Sequence, residues 1–297
     1  MSKDMKRICA ILAATLLAAG ASAEEVQKTL EAAPNGSVDV SNISGMVEIT
    51  GWSRNEVSVD ADLGSDVEEL VFKRDRDQII IEVKVPRRNS RFIESDLVIH
   101  VPERSAVSVG TVSADVMVHD VLGSQSLHTV SGDIEAEAYS TDIEIETVSG
   151  DVTLQGDGKD TNARMNTVSG DINAEQLGGD LAAGTVSGDI DVLNGTFRRA
   201  RLNTTNGDMV FSAALEKGGR FDAETINGEV DVRFRKKVSA KFEIETFNGD
   251  IRNCFGPKPV RTSEYTPGLE LYFSEGGGDG WVTIKTLNGD IDLCNDD

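Results

Sequence analysis

A six-residue run, Thr-Val-Ser-Gly-Asp-Ile, returns at a nearly fixed interval through this chain, and that return limits the available folds more than any other feature. It stands at Thr129–Ile134, Thr147–Val152, Thr167–Ile172 and Thr185–Ile190. A second series with Asn in place of Ser starts at Thr204, Thr225, Thr246 and Thr286, and a degenerate copy, Thr111-Val-Ser-Ala-Asp-Val116, precedes them all. Counted from Thr111, the threonines are 18, 18, 20, 18, 19, 21, 21 and 40 residues apart. A period near 20 with a glycine at one phase is the mark of a stacked-repeat architecture. Gly132, Gly150, Gly170, Gly188, Gly207, Gly228, Gly249 and Gly289 read as turn residues. Glycine takes positive φ without a Cβ clash, and Ser-Gly and Asn-Gly are turn dipeptides.

Residues after each turn alternate. Ile134, Val152, Ile172, Ile190, Met209, Val230, Ile251 and Ile291 share one phase. Two places on come Ala136, Leu154, Ala174, Val192, Phe211, Val232, Asn253 and Leu293. A period of two is a strand with one buried face. A second alternating run, such as Ile143 with Ile145 or Phe242 with Ile244, precedes each threonine. Each unit is thus strand, turn, strand, glycine turn. No such strand buries its apolar face alone, whereas stacking units at the ~4.8 Å strand spacing gives every backbone a partner above and below. The fold class expected is all-β, a parallel β-solenoid of about eight or nine coils of 18–21 residues, with an irregular β cap at its amino-terminal end. Residues 24–105 form that cap, continuous with a repeat solenoid over 106–297. Within the cap, Asn42-Ile-Ser-Gly45 resembles an early copy of the turn. At Thr147-Val148 simple alternation puts Thr inside and Val outside, yet both phases look restricted, which leaves a bulge or corner open.

Removal of a leader fits residues 1–23. Lys3, Lys6 and Arg7 precede an apolar run from Ile8 to Ala19, and Ala21-Ser22-Ala23 supplies small residues for cleavage before Glu24. The apolar run is short for a membrane anchor, and Cys9 lies at its start, where a lipoprotein cysteine does not belong. The expected location is periplasmic or cell-surface. Net charge moves from −22 to −24 as three positive charges and one negative charge leave with the leader. So acidic a chain is repelled by nucleic acid, and by anionic lipid unless divalent cations bridge the two. The expected partner is an envelope or surface macromolecule, protein or glycan.

Two cysteines remain, Cys254 and Cys294, each four residues beyond the acidic residue of its own repeat. On adjacent coils their Cα atoms would lie ~4.8 Å apart, within disulfide reach, and two coils apart they would not. A bond between them makes the region near 257–280 an excursion from the stack; the alternative is two free thiols.

Chemistry is sparse. Asp133, Asp151, Asp171, Asp189, Asp208, Glu229, Asp250 and Asp290 form an acidic file. Calcium between coils is one reading of it, and bonding of Asp to nearby backbone amides is the simpler one. A polysaccharide-cleaving β-helix would need paired acids and bases in a cleft, and the scattered His100, His119 and His128 do not supply them. The chain is expected to be non-catalytic, with no cofactor and no metal. An ice-ordering threonine ladder is disfavoured at a glycine turn. Basic clusters at Lys73-Arg74, Arg87-Arg88, Arg198-Arg199-Arg201 and Arg235-Lys236-Lys237 read as solvated edges that block end-to-end pairing, or else as a docking patch for an anionic partner.

The repeated Thr-Val-Ser-Gly-Asp-Ile and Thr-x-Asn-Gly-Asp-Ile runs, with the closing Gly276-Gly-Gly-Asp-Gly-Trp-Val-Thr-Ile-Lys-Thr-Leu-Asn-Gly-Asp-Ile291, resemble the bacterial putative-adhesin family of exported β-strand-repeat domains. The resemblance extends to Ile43–Ile49 and Val98–Pro102 and so spans nearly all of the chain after the leader. It implies an exported solenoid acting as an envelope scaffold or adhesion-type binding module, and it carries over no catalytic residues.

Overall fold

A computed structural model describes residues 24–86, 91–265 and 267–295. The expected leader and the Arg87-Arg88 cluster lie outside the described residues. Every element assigned among the described residues is a β-strand, and the strands join into one sheet that winds around a single core.

Same-phase residues of successive repeats lie in register over one another. Val152 pairs with Ile134 on one side and Ile172 on the other, and Ile172 continues to Ile190 and Met209. The second wall stacks in the same way, with Ile145 between Leu127 and Met165. Side chains in these columns point inward, and Val152, Leu154, Ile145, Met165 and Ile190 are fully buried. The corner breaks the alternation: Thr147 faces inward in phase with Ile143 and Ile145, Val148 is 46% exposed, and the inward phase resumes only at Val152, five residues on. That settles the phase left open by the sequence.

The sheet is mixed, which corrects the expectation of a parallel solenoid. Parallel pairing holds through the repeats, but both ends carry antiparallel strands. At one end Glu69–Asp75 pairs antiparallel with Gln78–Lys84, and Glu56–Leu63 lies antiparallel between Glu24–Glu31 and Ser95–Pro102. At the other, Leu269–Glu275 runs antiparallel along Ala240–Asn248 and is itself met by Val260–Arg261. An open parallel end exposes a row of unpaired N–H and C=O groups. A strand that doubles back covers that row without needing another full coil.

Levels are also out of chain order at both ends. The level of Ser37–Trp52 lies between Ala106–His119 and the outer level made by Gln78–Lys84 and Ser95–Pro102. In that stack Asn42, Ser44 and Gly45 align with Thr111, Ser113 and Ala114. At the far end the last repeat in the sequence is not the last in space. Gly280–Asn288 pairs on one side with the Arg220–Asn227 part of strand Met209–Asn227 and on the other with Ala240–Asn248. Ile291–Asn295 likewise lies between Val230–Phe234 and Ile251–Asn253. The chain therefore skips a level after Phe234, builds the outermost coil, covers it with Leu269–Glu275, and returns to fill the gap.

Cys254 and Cys294 are disulfide-bonded with Cα atoms 4.9 Å apart, the spacing expected for adjacent levels. The bond ties the outermost coil to the coil inserted beneath it. Asn253 leaves the core here, its side chain bonding Pro257 O and Phe255 N as the chain turns away.

The core changes along the rod. Early levels are filled by Val, Ile, Leu and Ala, whereas Phe197, Phe211, Phe221, Phe234, Phe242, Phe255 and Phe273 form a continuous aromatic file in the later ones. Neighbouring rings lie 4.2 to 6.4 Å apart, within the range of favourable aromatic pairs. The longer intervals of 21 residues fall in this half and enclose the bulkier side chains.

Candidate functional site

The repeated corner forms one edge of the rod, and nearly every residue of the motif has a bonding duty there. In the level of Thr167 the backbone N–H of Ser169 donates down to Val148 O, that of Gly170 donates up to Ser187 O, and that of Ile172 donates up to Asp189 O. Thr167 Oγ1 donates to Gly150 O at 3.3 Å. The same bond recurs from Thr185, Thr204, Thr225, Thr286 and Thr246 to the glycine one level below each. Thr147 is the exception, its buried hydroxyl making no such bond. Because the threonines face inward, they order no water outside.

The glycines meet two demands. At Gly188, Gly207, Gly228 and Gly289 φ lies between +154° and +159°, positive as the turn reading expects, and the other four motif glycines are not positive. The demand common to all eight is close approach. A Cβ on Gly150 would sit 2.0 Å from Gly132 O, and Gly170, Gly188 and Gly249 meet the carbonyl beneath at the same 2.0 Å. Gly132 meets Ala114 O at 2.3 Å, and Gly207, Gly228 and Gly289 meet the glycine beneath at 1.9 Å. The lone alanine of the column, Ala114, lies over Gly45, whose φ of +110° departs from the rest. Threonine and glycine of one repeat thus converge on a single carbonyl of the level below.

The acidic file has its own geometry. Six of its carboxylates accept the backbone N–H of the acidic residue one level on: Asp133 Oδ1 from Asp151 N at 2.9 Å, Asp151 from Asp171 at 2.9 Å, Asp171 from Asp189 at 2.8 Å, Asp189 from Asp208 at 2.7 Å. Asp208 receives Glu229 N, and Asp290 receives Asp250 N across the inserted level. The bonding runs between coils rather than within one turn. It gives a donor to these six carboxylates and an acceptor to an amide that the parallel ladder leaves over at the corner. Among the described residues no three His, Cys, Asp or Glu side chains gather closely enough to hold a metal ion.

Sequence reasoning missed a further ladder. Asn227 Nδ2 donates to Asn206 Oδ1, Asn288 to Asn227 and Asn248 to Asn288, each at 2.8 Å. This is the physical content of the switch from Ser to Asn in the second series: both side chains donate and accept, but the amide sets its donor and acceptor on a longer frame that reaches from level to level.

One motif side chain has no bonding duty. Val112, Val130, Val148, Val168, Val186, Ile226, Leu287 and Phe247 all point outward at 45–48% exposure, one above another, interrupted only by Thr205. Stacked aliphatic side chains stabilise each other modestly. Yet the outward position two places after the acidic file carries Glu135, Thr153, Asn173, Asp191, Val210, Asp231 and Arg252. One outward column drifts freely, while the other stays apolar. The edge is therefore an apolar stripe bordered by a file of carboxylates.

The three histidines are far apart in role. His100 packs on Trp52, His119 faces Glu137 at 3.9 Å, and His128 bonds Ser126 with Glu146 at 3.4 Å. Of the basic clusters, Lys73-Arg74 lies on the outermost strand at one end, Glu69–Asp75. Arg198, Arg199 and Arg201 lie on the outer face of the wall preceding the corner, where stacking brings Arg164 and Arg220 beside them. Asp180 accepts from Arg199 at 2.5 Å and from Arg198 at 3.0 Å, and these guanidiniums hold its carboxyl down to about 2. Residues on three different repeats make this group, so only the cluster contiguous in sequence was visible beforehand.

A family model described as Toastrack DUF4097 matches residues 47–294. Among solved structures, a putative adhesin from Bacteroides fragilis is similar in fold, with a TM-score of 0.50 at 12% identity over 93% of this chain and 99% of that one. A putative adhesin from Parabacteroides distasonis gives 0.44 at 10% identity over 93% and 98%. A protein from the same organism described as a putative lipid binding protein gives 0.39 at 12% identity over 92% and 97%. No curated protein matches the chain.

Proposed function

This chain belongs to the Toastrack DUF4097 family, and on that footing we propose that it is an exported, non-catalytic scaffold or binding module of the cell envelope, working through the apolar edge of its stack. The observation that carries this reading is the stripe from Val112 to Phe247, kept apolar and half exposed while the neighbouring outward column varies. A contiguous exposed apolar patch marks an interaction surface more often than chance exposure does. Its acidic border selects a partner whose contact surface is apolar and basic, by charge complementarity. Two copies of this edge would bring like charges together, which argues against self-association. Among the described residues no helix is long and apolar enough to cross a membrane.

The edge is testable in cells. With a photo-crosslinking amino acid at position 148, irradiation of intact cells is expected to yield one dominant adduct, found in the envelope fraction. Val168→Glu is expected to reduce that adduct at least about tenfold by placing charge in the stripe, at little cost to folding because the position is exposed. An unchanged adduct in Val168→Glu, or none from position 148, would refute the edge as the working surface.

The acidic file acts as a spine that satisfies corner amides, and no cation is required to hold it. Chelator is accordingly expected to leave the melting temperature within ~2 °C of the untreated protein. A fall of about 10 °C with chelator, restored by calcium, would replace this reading with the calcium-stabilised one.

A further inference from the structure

We infer that the outer face of the wall around Ala182 is a binding site for a carboxylated saccharide. The inference extends the binding-module reading to a second surface and names a ligand class for it. Arg164, Ala182 and Arg201 occupy successive levels in register and point outward. The two guanidinium-bearing residues are thus two strand spacings apart, roughly 10 Å. Between them Ala182 presents almost no side chain, which leaves a depression of about 330 Å³, at the lower end of the range for small-ligand pockets.

Its lining includes Arg164, Arg199, Arg201 and Arg220 against only Asp180 and Asp222, in a chain of net charge −22. The two carboxylates lie low against the sheet, at 14% and 13% side-chain exposure, while the arginines stand above them. Asp222 accepts from Arg220 at 2.7 and 3.1 Å, as Asp180 does from Arg199 and Arg198. These pairs hold Arg199 and Arg220 upright before any ligand arrives, which lowers the ordering cost of binding.

Arg164 makes no hydrogen bond or ion pair with another described residue, although Glu144 is its register neighbour on the side away from Ala182. Arg201 approaches Asp222 only at 3.9 Å. Two guanidiniums with unused donor forks therefore face each other across the gap. That fork matches a carboxylate in a bidentate way. Asp180 and Asp222 retain lone pairs beyond those used by arginine and can accept from hydroxyl groups. A ligand that offers a carboxylate and several hydroxyls on a small rigid frame uses both sets. An acidic peptide would engage the arginines but leave the aspartates unmatched, and a dense polyanion would meet the overall negative charge of the chain.

Titration calorimetry on the protein, at low salt, provides the test. Tetragalacturonate is expected to bind saturably, a neutral galacto-oligosaccharide of equal length not at all, and tetraglutamate at least about tenfold more weakly. The double variant Arg164→Gln/Arg201→Gln is expected to lose at least about tenfold in affinity for tetragalacturonate. Ala182→Leu keeps every charge and fills the depression, and it is expected to abolish binding. Should the double variant fail to fold, Ala182→Leu decides the question alone. The inference is overturned by absent or non-saturable binding, by equal binding of tetraglutamate or the neutral sugar, or by folded variants that bind like the parent. The crosslink from position 148 lies on the other surface, so failure of the saccharide titration leaves it intact, and failure of the crosslink leaves the titration intact.

Discussion

Deletion of residues 280–297, made in a Cys254→Ser background to avoid a stray thiol, is expected to collapse the carboxyl-terminal levels into aggregation-prone material. It is not expected to yield a rod shorter by one coil. In chain order these residues are the last repeat, and trimming the last repeat of an ordinary solenoid removes one interface and little else. Here Gly280–Asn288 and Ile291–Asn295 stand between two other levels. Their loss opens two facing strand edges and uncovers the aromatic file beside them. Val282, Ile284, Ile291 and Leu293 are fully buried. At about 1.5–3 kcal/mol for each such side chain, the gross loss is of the order of the whole stability of a domain. Size-exclusion chromatography and thermal unfolding would read the outcome. A monomer melting within ~5 °C of the parent would mean that the outer coil closes down onto the Thr225 level, and the interleaved order would be wrong.

The second large effect is expected at the glycine column. Gly170→Ala places a Cβ about 2.0 Å from Gly150 O, the carbonyl that also accepts from Thr167. Neither group can withdraw, because both belong to backbone held from above and below. The expected cost is about 3 kcal/mol, at the upper end for overpacking. Since φ at Gly170 is not positive, the cost arises from crowding and not from backbone strain. Gly110→Ala is the matched control: nothing lies within 4 Å of its added Cβ, and a change within ~0.5 kcal/mol is expected. Urea unfolding of the two variants separates the cases. Equal destabilisation of both, or of neither, would remove crowding as the reason for the motif glycine.

The corner shows how far a repeat can be read before it is seen. Strand phase and the inward Ile and Val columns follow from periodicity, because each depends only on one unit lying over its neighbour; periodicity also puts Cys254 and Cys294 at one phase, and the structure places their coils side by side. The crowding at the glycine stays hidden in the sequence because φ and close approach make the same demand for a missing Cβ, and only coordinates tell them apart. The asparagine ladder and the arginine group went unseen for a related reason: their members are far apart in sequence and meet only across levels.

What sequence alone determined about this protein is the coil: its length, which side chains enter the core, and the corner that joins its two walls. Which coil sits on which was decided by tertiary structure. Every copy of the motif presents the same donors, acceptors and apolar column, so the Thr286 copy fits between the Thr225 and Thr246 levels as well as it would beyond them. Local interactions that are alike at every level cannot rank those arrangements. The choice falls to the antiparallel excursion Leu269–Glu275, which occupies the outer edge of the Thr246 level and leaves the gap beneath it as the place for the last repeat.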